Sequence, residues 1–235
     1  MAPLTSRQVA KVVAKSSGKR LLLNHNLHSA YLHDIDRDFA KLYEQADLVI
    51  IDGTPIRWLA ALAARKHIPA ECRVSSTDWL SALPQTPTDG SPRMFVFGAS
   101  AISNGKAVEA LRSSLTEWTV SGLDGYVCEE DAVRSITEFR PDVVIVGLGM
   151  PRQEYFLLKN WDALPDAVYA TVGGAIDYVA GETRLAPRWL GRLGIEWAWR
   201  LLHEPSRLAY RYLVEPLLLA RRVVARSASR RLKLR

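Results

Sequence analysis

PDVVIVGLGMPRQE, residues 141–154, combines a short apolar run with a glycine-rich turn. The run ends at Gly147, and a polar, helix-compatible segment begins at Arg152. This order is typical of a buried parallel strand that leads through a glycine loop into a helix. Glycines let the backbone approach a ligand closely, and the free N–H groups of a first helical turn attract anions. The stretch therefore predicts a nucleotide or diphosphate site; an ordinary strand-to-helix turn without a ligand is the alternative.

Two further apolar runs in the second half of the chain also end in glycine-bearing loops. Strand-like and helix-like segments alternate from 94 to 177, which predicts an α/β fold of parallel strands joined by helical crossovers. Because the carboxyl ends of such strands share one edge, loops 98–100, 147–151 and 173–177 are expected to line one crevice. Their convergence favours the nucleotide interpretation. A dinucleotide fingerprint is absent, since Arg152 stands where the third glycine would be, and no Walker-type phosphate loop occurs.

The first half of the chain carries two more predicted strands with polar residues at their ends. KRLLLN ends at Asn24, and DLVII leads to Asp52 and Gly53. Asp52 is a candidate for catalysis or ligand contact, and its alternative role is to N-cap a helix that begins near Pro55. A later polar loop holds Arg73 and Asp78, which could bind a sugar or phosphate or could form a surface ion pair with a helix cap.

The stretch 83–92, LPQTPTDGSP, is rich in proline, glycine and hydroxyl residues and predicts a linker. The chain is accordingly divided into an N-terminal α/β part, 1–85, that carries Asn24 and Asp52, a nucleotide-binding part, 92–183, and a basic helical appendage, 184–235. Asp34 and Asp36 form an Asp-x-Asp pattern at the start of a predicted helical stretch, 34–44, with no strand before it, which favours capping over metal binding. His25, His28 and His33 lack zinc spacing, so neither a metal nor a cofactor is expected.

Composition and charge narrow the class of protein. The chain has 235 residues, 48% of them hydrophobic, and two cysteines outside any metal or redox spacing, which predicts a globular protein with reduced thiols in the cytosol. A polar N-terminus and the lack of a long apolar run predict no signal peptide and no membrane span.

The net charge is +6, and residues 184–235 hold thirteen basic residues against three acidic ones. A basic, apolar tail suits an anionic membrane, nucleic acid or an acidic partner.

Prolines 205 and 216 are expected to divide this tail into three helical pieces, 187–203, 206–214 and 216 onward. Arg200, Arg207 and Arg211 are spaced by seven and four residues, so on continuous helices they share a face that can bind a diphosphate. Tryptophans and tyrosines are interleaved with the arginines, as at a membrane interface. Aromatics packed on the protein body with a solvated arginine face are the alternative.

Ordered motifs across 20–215 resemble the WecG/TagA/CpsF glycosyltransferases. The resemblance rests on GLGMPRQE at 147–154, VGGAID at 172–177, AG at 180–181, RLAPRW at 184–189, GIEW at 194–197, RL at 200–201 and EPSRLAYRY at 204–212, with Asn24, Asp52-Gly53, Arg73 and Asp78 upstream. It implies a Rossmann-like parallel core with helices on both faces and a C-terminal appendage that reaches the membrane. The implied activity is inverting, metal-independent transfer of a sugar, N-acetylmannosamine or its uronic acid, from a UDP-sugar to a polyprenyl-diphosphate-linked glycan in cell-envelope or exopolysaccharide synthesis.

The resemblance also implies roles for single residues. Asp52 aligns with the family's general base and Gln153 with an active-site glutamine, while Arg200, Arg207 and Arg211 align with or lie near diphosphate-binding arginines. Tyr210 stands where the third arginine can be expected. The substrate-binding positions that we predict are Asn24, Arg73, Asp78, Gly98, Gly147, Gly149, Glu154, Gly173, Gly174 and Asp177.

The chain departs from the family pattern at two positions: Leu22 replaces a threonine and Ser76 replaces a glycine. Both changes fall in the half expected to contact a sugar. The expected partners are a UDP-sugar, the lipid-linked acceptor and the anionic inner face of the cell membrane, without nucleic acid and with homo-oligomer formation left open. A catalytically inactive nucleotide-binding or scaffold module of a polysaccharide-synthesis complex is the alternative function.

Overall fold

The computed structural model describes residues 1–187, 190 and 195–233, with side chains throughout except at 207 and 227–233. Its centre is a six-stranded, all-parallel sheet in the order β2-β1-β6-β5-β3-β4. The strands are β1 Arg20–His25, β2 Leu48–Ile51, β3 Arg93–Gly98, β4 Thr119–Leu123, β5 Val143–Gly147 and β6 Val168–Thr171. Every residue of β5 and β6 is buried, which explains why the central strands are continuous apolar runs.

Helices cover both faces of this sheet, as the sequence predicts. Before β5 they are α1 Ser6–Lys15, α2 Leu27–Ile35, α3 Arg37–Gln45, α4 Thr54–Ala64, α5 Ser76–Leu80, α6 Ala101–Ser114 and α7 Glu129–Phe139. After β5 they are α8 Arg152–Asn160, α9 Ala175–Val179, α10 Glu196–His203, α11 Pro205–Ala209 and α12 Glu215–Lys233. A π-helical turn, Tyr210–Val214, joins α11 to α12.

Two apolar layers lie on opposite faces of the sheet because side chains alternate along each strand. Ile145 faces a layer shared with α1, α5, α6 and α9. Its neighbours Val144 and Val146 face a second layer, which contains Phe39 of α3 and Phe156 of α8. The predicted α/β architecture with helices on both faces is confirmed.

The predicted linker connects two parts of one sheet. A short 3₁₀ turn, Leu83–Gln85, begins it, and β3 follows it. β1 pairs with β6, so strands from both sides of the linker join in the same sheet. The predicted division of the chain into parts 1–85 and 92–183 with different binding functions stays a prediction.

The structure corrects two predicted boundaries. A helical stretch predicted to begin at Asp34 is two helices, α2 and α3, because Asp36 ends the first and N-caps the second through the amides of Asp38 and Phe39. The division predicted at Pro216 is a change of helix type and not a gap, since the π turn ends at Val214 and α12 begins at Glu215 with the proline in its first turn. A first-turn proline needs no N–H partner, and a π turn spaces the preceding carbonyls differently.

The tail's first predicted piece, 187–203, falls partly outside the described residues, and α10 is its described helix. In the described part of the chain, no helix is long and apolar enough to cross a membrane.

Candidate functional site

The carboxyl ends of four neighbouring strands meet the tail around two adjoining cavities. Asn26 and Asp52 follow β1 and β2, Gly149 follows β5, and Gly173 follows β6. The cavities have volumes of about 330 Å³ and about 280 Å³. Their shared walls include residues from the sheet edge and from the tail: Asn26, His28, Asp52, Arg200, Arg211 and Tyr212. We call them the first cavity, which also touches α4, and the second cavity, which touches the glycine loops.

Asp52 lies in the shared wall, one residue beyond β2. Its N–H donates to the carbonyl of His25 at 2.9 Å, which extends the strand pairing by one step. The N-cap of α4 is Gly53, at φ 108°, and no side chain caps the N–H groups at the start of this helix. The helix-cap interpretation of Asp52 is therefore wrong. Burial raises the pKa of the Asp52 carboxyl, against the opposing effect of Arg200 and Arg73, so this carboxylate is a better proton acceptor than an exposed one.

Asn26 connects Asp52 to the tail. Its Nδ2 donates to Asp52 Oδ2 at 3.5 Å, and its Oδ1 accepts from the N–H of Ser29 at 3.1 Å as the N-cap of α2. The same Oδ1 accepts from Arg211 Nη2 at 3.4 Å. Sequence reasoning named Asn24 but not Asn26, although an asparagine three residues before Ser29 is a helix-start signal.

Arg73 and Arg200 are linked by an acidic residue that the sequence did not single out. Glu196 Oε2 lies 3.3 Å from Arg73 Nη1, and Glu196 Oε1 accepts from Arg200 Nη2 at 2.7 Å. Arg200 also lies over the ring of Tyr178, 5.4 Å from its centroid. Asp78 contributes an ion pair to Arg73 at 3.9 Å and completes a capping box with Ser75. The arrangement holds two guanidiniums beside the carboxylate of Asp52.

Arg211 lines both cavities and has a partly unpaired guanidinium. Its Nε lacks a hydrogen-bond partner among the described residues, and burial lowers the pKa of its guanidinium. Beside it, His28 Nδ1 lies 2.5 Å from Glu215 Oε2, which joins α2 to α12. Burial and the charge of Arg211 lower the pKa of His28 to about 3, so the imidazole is neutral near pH 7. An anion entering the site would supply the missing partner of Arg211.

Gln153 lines the second cavity with both ends of its amide held. Its Oε1 accepts from the N–H of Gly173 at 3.0 Å, and its Nε2 donates to Glu154 Oε1 at 2.8 Å. Glu154 is fully buried and does not line either cavity. Burial raises the pKa of Glu154 to about 7. Gln153 thereby ties the loop after β6 to the start of α8.

Asn24 and Ser76 meet at the floor of the second cavity. Asn24 Nδ2 donates to Ser76 Oγ, while Asn24 Oδ1 has no hydrogen-bond partner among the described residues. Ser76 therefore occupies one hydrogen-bonding group of the asparagine. A ligand hydroxyl could donate to the remaining oxygen.

The predicted glycine positions separate into two groups. Gly149, Gly173 and Gly174 line the second cavity. Gly98 and Gly147 do not, and both are explained by packing. A Cβ on Gly98 would lie 2.4 Å from the Gly147 carbonyl oxygen, and one on Gly147 would lie 2.4 Å from Ile176 Cδ1.

Ligand roles for Gly98, Gly147, Asp78, Glu154 and Asp177 stay predictions, since none of these residues lines a cavity. The side chain of Arg207 lies outside the described residues, so its predicted diphosphate contact is untested. Among the residues that the structure describes, no cluster of three or more His, Cys, Asp or Glu side chains could hold a metal ion.

The arginines and the Asp52 carboxylate lie at the carboxyl edge of a parallel sheet, which is the edge where α/β proteins as a class bind their ligands. The chain belongs to the WecG/TagA/CpsF family of glycosyl transferases, whose family model matches residues 2–233. The resemblance read from the ordered motifs is confirmed.

Three relatives share one name, N-acetylglucosaminyldiphosphoundecaprenol N-acetyl-beta-D-mannosaminyltransferase. The Bacillus spizizenii relative is 29% identical over 171 residues, which are 72% of this chain and 65% of the relative. The Bacillus subtilis relative is 29% identical over 174 residues, 73% of this chain and 67% of the relative. A Staphylococcus aureus relative is 27% identical over 183 residues, 77% of this chain and 68% of the relative. The match thus spans about two thirds of each relative's length.

Proposed function

We propose that this protein transfers a sugar from a UDP-sugar to N-acetylglucosamine held on a polyprenyl diphosphate, in the synthesis of a cell-envelope polysaccharide. N-acetylmannosamine is the preferred candidate for the sugar, because the relatives' names specify it. One observation carries the proposal: a carboxylate with a raised pKa lies in the wall of a cavity beside Arg73, Arg200 and Arg211. Transfer from a sugar diphosphate needs both a base and cations.

Asp52 acts as the general base in this proposal. The acceptor's hydroxyl oxygen attacks the anomeric carbon of the donor sugar, and Asp52 takes the hydroxyl proton as the new glycosidic bond forms. The bond from the anomeric carbon to the diphosphate oxygen breaks on the opposite face, so the anomeric configuration inverts. Asn26 orients the carboxylate through its 3.5 Å hydrogen bond.

The arginines stabilise the charge that develops on the departing UDP. Arg200 and Arg211 line both cavities, and the free Nε of Arg211 is directed at no group of the described protein. Guanidiniums bind phosphate oxygens in a fork, which is how a transferase can act without a divalent metal. Arg207 joins them through the family resemblance alone. The glycine loops that hold Gly149 and Gly173 supply backbone N–H groups to the donor.

An Asp52→Asn variant tests this proposal. Loss of a general base should lower turnover by about 10²- to 10⁴-fold while the fold stays intact. The assay measures UDP release from a panel of UDP-sugars, with a polyprenyl-diphosphate-linked N-acetylglucosamine as acceptor and EDTA present. Asp162→Asn, in an exposed turn after α8, is the matched control and should retain wild-type turnover.

Near-wild-type turnover by Asp52→Asn would refute the assigned base. The transferase activity itself would be refuted if the wild-type protein released UDP from none of the UDP-sugars, or released it equally without the lipid acceptor. A requirement for added Mg²⁺ or Mn²⁺ would contradict metal independence. The assignment of Asp52 as the base would still be tested by the turnover of Asp52→Asn.

A further inference from the structure

Helix α4 is apolar on both of its faces, and the fold covers only one of them. Ile56 and Ala60 are buried in a small core beneath the helix. On the other face Trp58, Leu59 and Leu62 are 61%, 51% and 77% exposed. A helix of a globular protein normally turns a polar face to solvent, and a contiguous exposed apolar face marks an interaction surface. These three side chains, which we call the α4 face, therefore need a partner.

The chain segment that forms the α4 face carries charges of one sign. No acidic residue occurs between Asp52 and Glu71, whereas Arg65 and Lys66 are exposed just beyond the end of the helix. Exposed tryptophan and leucine next to basic residues are typical of helices that lie in the headgroup region of an anionic bilayer. A protein partner of mixed charge would not require a segment free of acidic residues.

The α4 face is also continuous with the mouth of the candidate site. Thr54 and Pro55 at the start of α4, the exposed Trp197 of α10, and Pro216 of α12 all line the first cavity. α12 in turn exposes Leu217, Val223 and Val224. Two helices with exposed apolar side chains thus begin at the rim of the cavity that holds Asp52.

We propose that the α4 face lies on an anionic lipid bilayer, as a membrane contact separate from the basic tail. The first cavity then opens at the membrane surface. This inference deepens the proposed function, because a polyprenyl-linked acceptor is held in a bilayer and its diphosphate would enter the cavity from the headgroup region. Membrane contact itself does not depend on catalysis, so it can be measured separately.

The direct test compares vesicle binding by the full-length protein and by the triple variant Trp58→Ser/Leu59→Ser/Leu62→Ser. Sedimentation with phosphatidylglycerol–phosphatidylcholine vesicles at moderate salt measures the partition coefficient. The variant lacks three apolar side chains that would be buried in the bilayer, so its partition coefficient should be lower by about tenfold or more. The matched control is Ile102→Ser, an equally exposed apolar residue, 68% exposed, on α6 beside β3 and β4 at the far edge of the sheet. That control should bind as wild type does.

Three readouts keep the outcomes separate. Unchanged circular dichroism and thermal unfolding show that the triple variant is folded. Trp58→Phe should lose part of the quenching of tryptophan fluorescence by brominated lipids, since the Trp58 ring would lie in the bilayer. Turnover with a water-soluble, short-chain prenyl-diphosphate acceptor should stay within about twofold of wild type, because the α4 face does not touch the reacting groups.

Wild-type vesicle binding by the triple variant would overturn the proposal. The proposal would also be overturned if the triple variant changed from dimer to monomer in sedimentation velocity and still bound vesicles, since the α4 face would then contact a second copy of the chain. Inactivity of the wild-type protein with every donor would refute the proposed function and would leave the vesicle result standing by itself.

Discussion

Glu154 is a buried carboxyl whose ionisation the fold opposes. Its Oε1 accepts from Gln153, and its Oε2 has no hydrogen-bond partner among the described residues. Burial raises the pKa of Glu154 from 4.5 to about 7. Between these two pH values the unfolded chain has lost its proton while the folded chain still holds it. The free energy of unfolding must therefore fall as the pH rises through this window.

Replacement of Glu154 by glutamine should remove that pH dependence. We expect Glu154 to contribute a drop of about 3 kcal/mol to the wild-type free energy of unfolding between about pH 4.5 and pH 7, and Glu154→Gln to lack this contribution while those of the other titrating groups remain. Urea unfolding at several pH values measures it. Glu44→Gln, at an exposed position of α3, is the control and should keep the wild-type slope. An equal slope in both variants would show that Glu154 is ionised in the folded protein at low pH.

Gly98 and Gly149 both adopt positive φ, at 127° and 76°, yet they differ in the space around them. A Cβ on Gly98 would meet the Gly147 carbonyl at 2.4 Å, whereas nothing lies within 4 Å of one on Gly149. Gly98→Ala should therefore destabilise the fold by about 3 kcal/mol or more, from strain and overlap together, and Gly149→Ala by about 1 kcal/mol from strain alone. Thermal and urea unfolding measure the difference. Equal losses would contradict the packing role of Gly98.

At the scale of elements, α12 is held on α2 by two different kinds of contact. His28 and Glu215 form a buried hydrogen bond near the cavities. Further along, Asp34 pairs with Arg222 and Arg226; the Asp34 side chain is 9% exposed, and those of the arginines are 45% and 60% exposed. Water screens an ion pair whose arginines stay in solvent, whereas His28 and Glu215 are both largely buried, and a buried group left without its partner is costly.

Glu215→Ala should therefore loosen α12 more than Asp34→Ala does. We expect the opening free energy of the α12 amides between 217 and 226 to fall by about 2 kcal/mol in Glu215→Ala, and by about 1 kcal/mol or less in Asp34→Ala. Native-state hydrogen exchange measures both. The strand β5 amides serve as an internal control and should be unaffected. A larger effect from Asp34→Ala would show that the arginine pairs are the principal attachment.

Local sequence signals predict the elements well where one signal dominates. The buried strands are continuous apolar runs, and Asp36 is a helix cap as its position before a helix suggests. Near Pro216 the same reasoning predicts the boundary between two helical pieces but not its form, a change from a π turn to an α-helix without a gap. It also misses the separation of α2 from α3, since Asp36 both ends one helix and starts the next.

At the scale of the whole molecule, the site is built from residues far apart in the chain. Asp52 and the glycine loops are predictable because strand ends in a parallel sheet share one edge. The contacts of Asn26 with Arg211, Arg73 with Glu196, and His28 with Glu215 span 185, 123 and 187 residues. Neither charge patterning nor periodicity pairs residues at such separations. The family resemblance supplied Arg200 and Arg211, and it included Glu196 within the GIEW motif, but it gave neither the contact of Glu196 with Arg200 nor that of Asn26 with Arg211.

Truncation after Leu185 tests whether the sheet and the tail are separable. The retained part keeps all six strands, Asp52 and Gln153, and it loses Arg200, Arg211 and the tail walls of both cavities. We expect a folded core with a cooperative thermal transition but a turnover lower by about 10³-fold or more, because the cations that stabilise the leaving group are gone. Circular dichroism and UDP release measure the two effects. The full-length Asp52→Asn variant is the reference for lost catalysis with intact binding.

Vesicle binding by the truncated protein separates the two membrane contacts. Loss of the basic tail should weaken binding and reduce its salt dependence, since most of the cations are removed. The remaining binding should be salt-resistant and should disappear when the Trp58→Ser/Leu59→Ser/Leu62→Ser changes are added. A truncated protein with undiminished turnover would show that the sheet alone holds the diphosphate. One that fails to fold would show that α2 needs α12 to cover it.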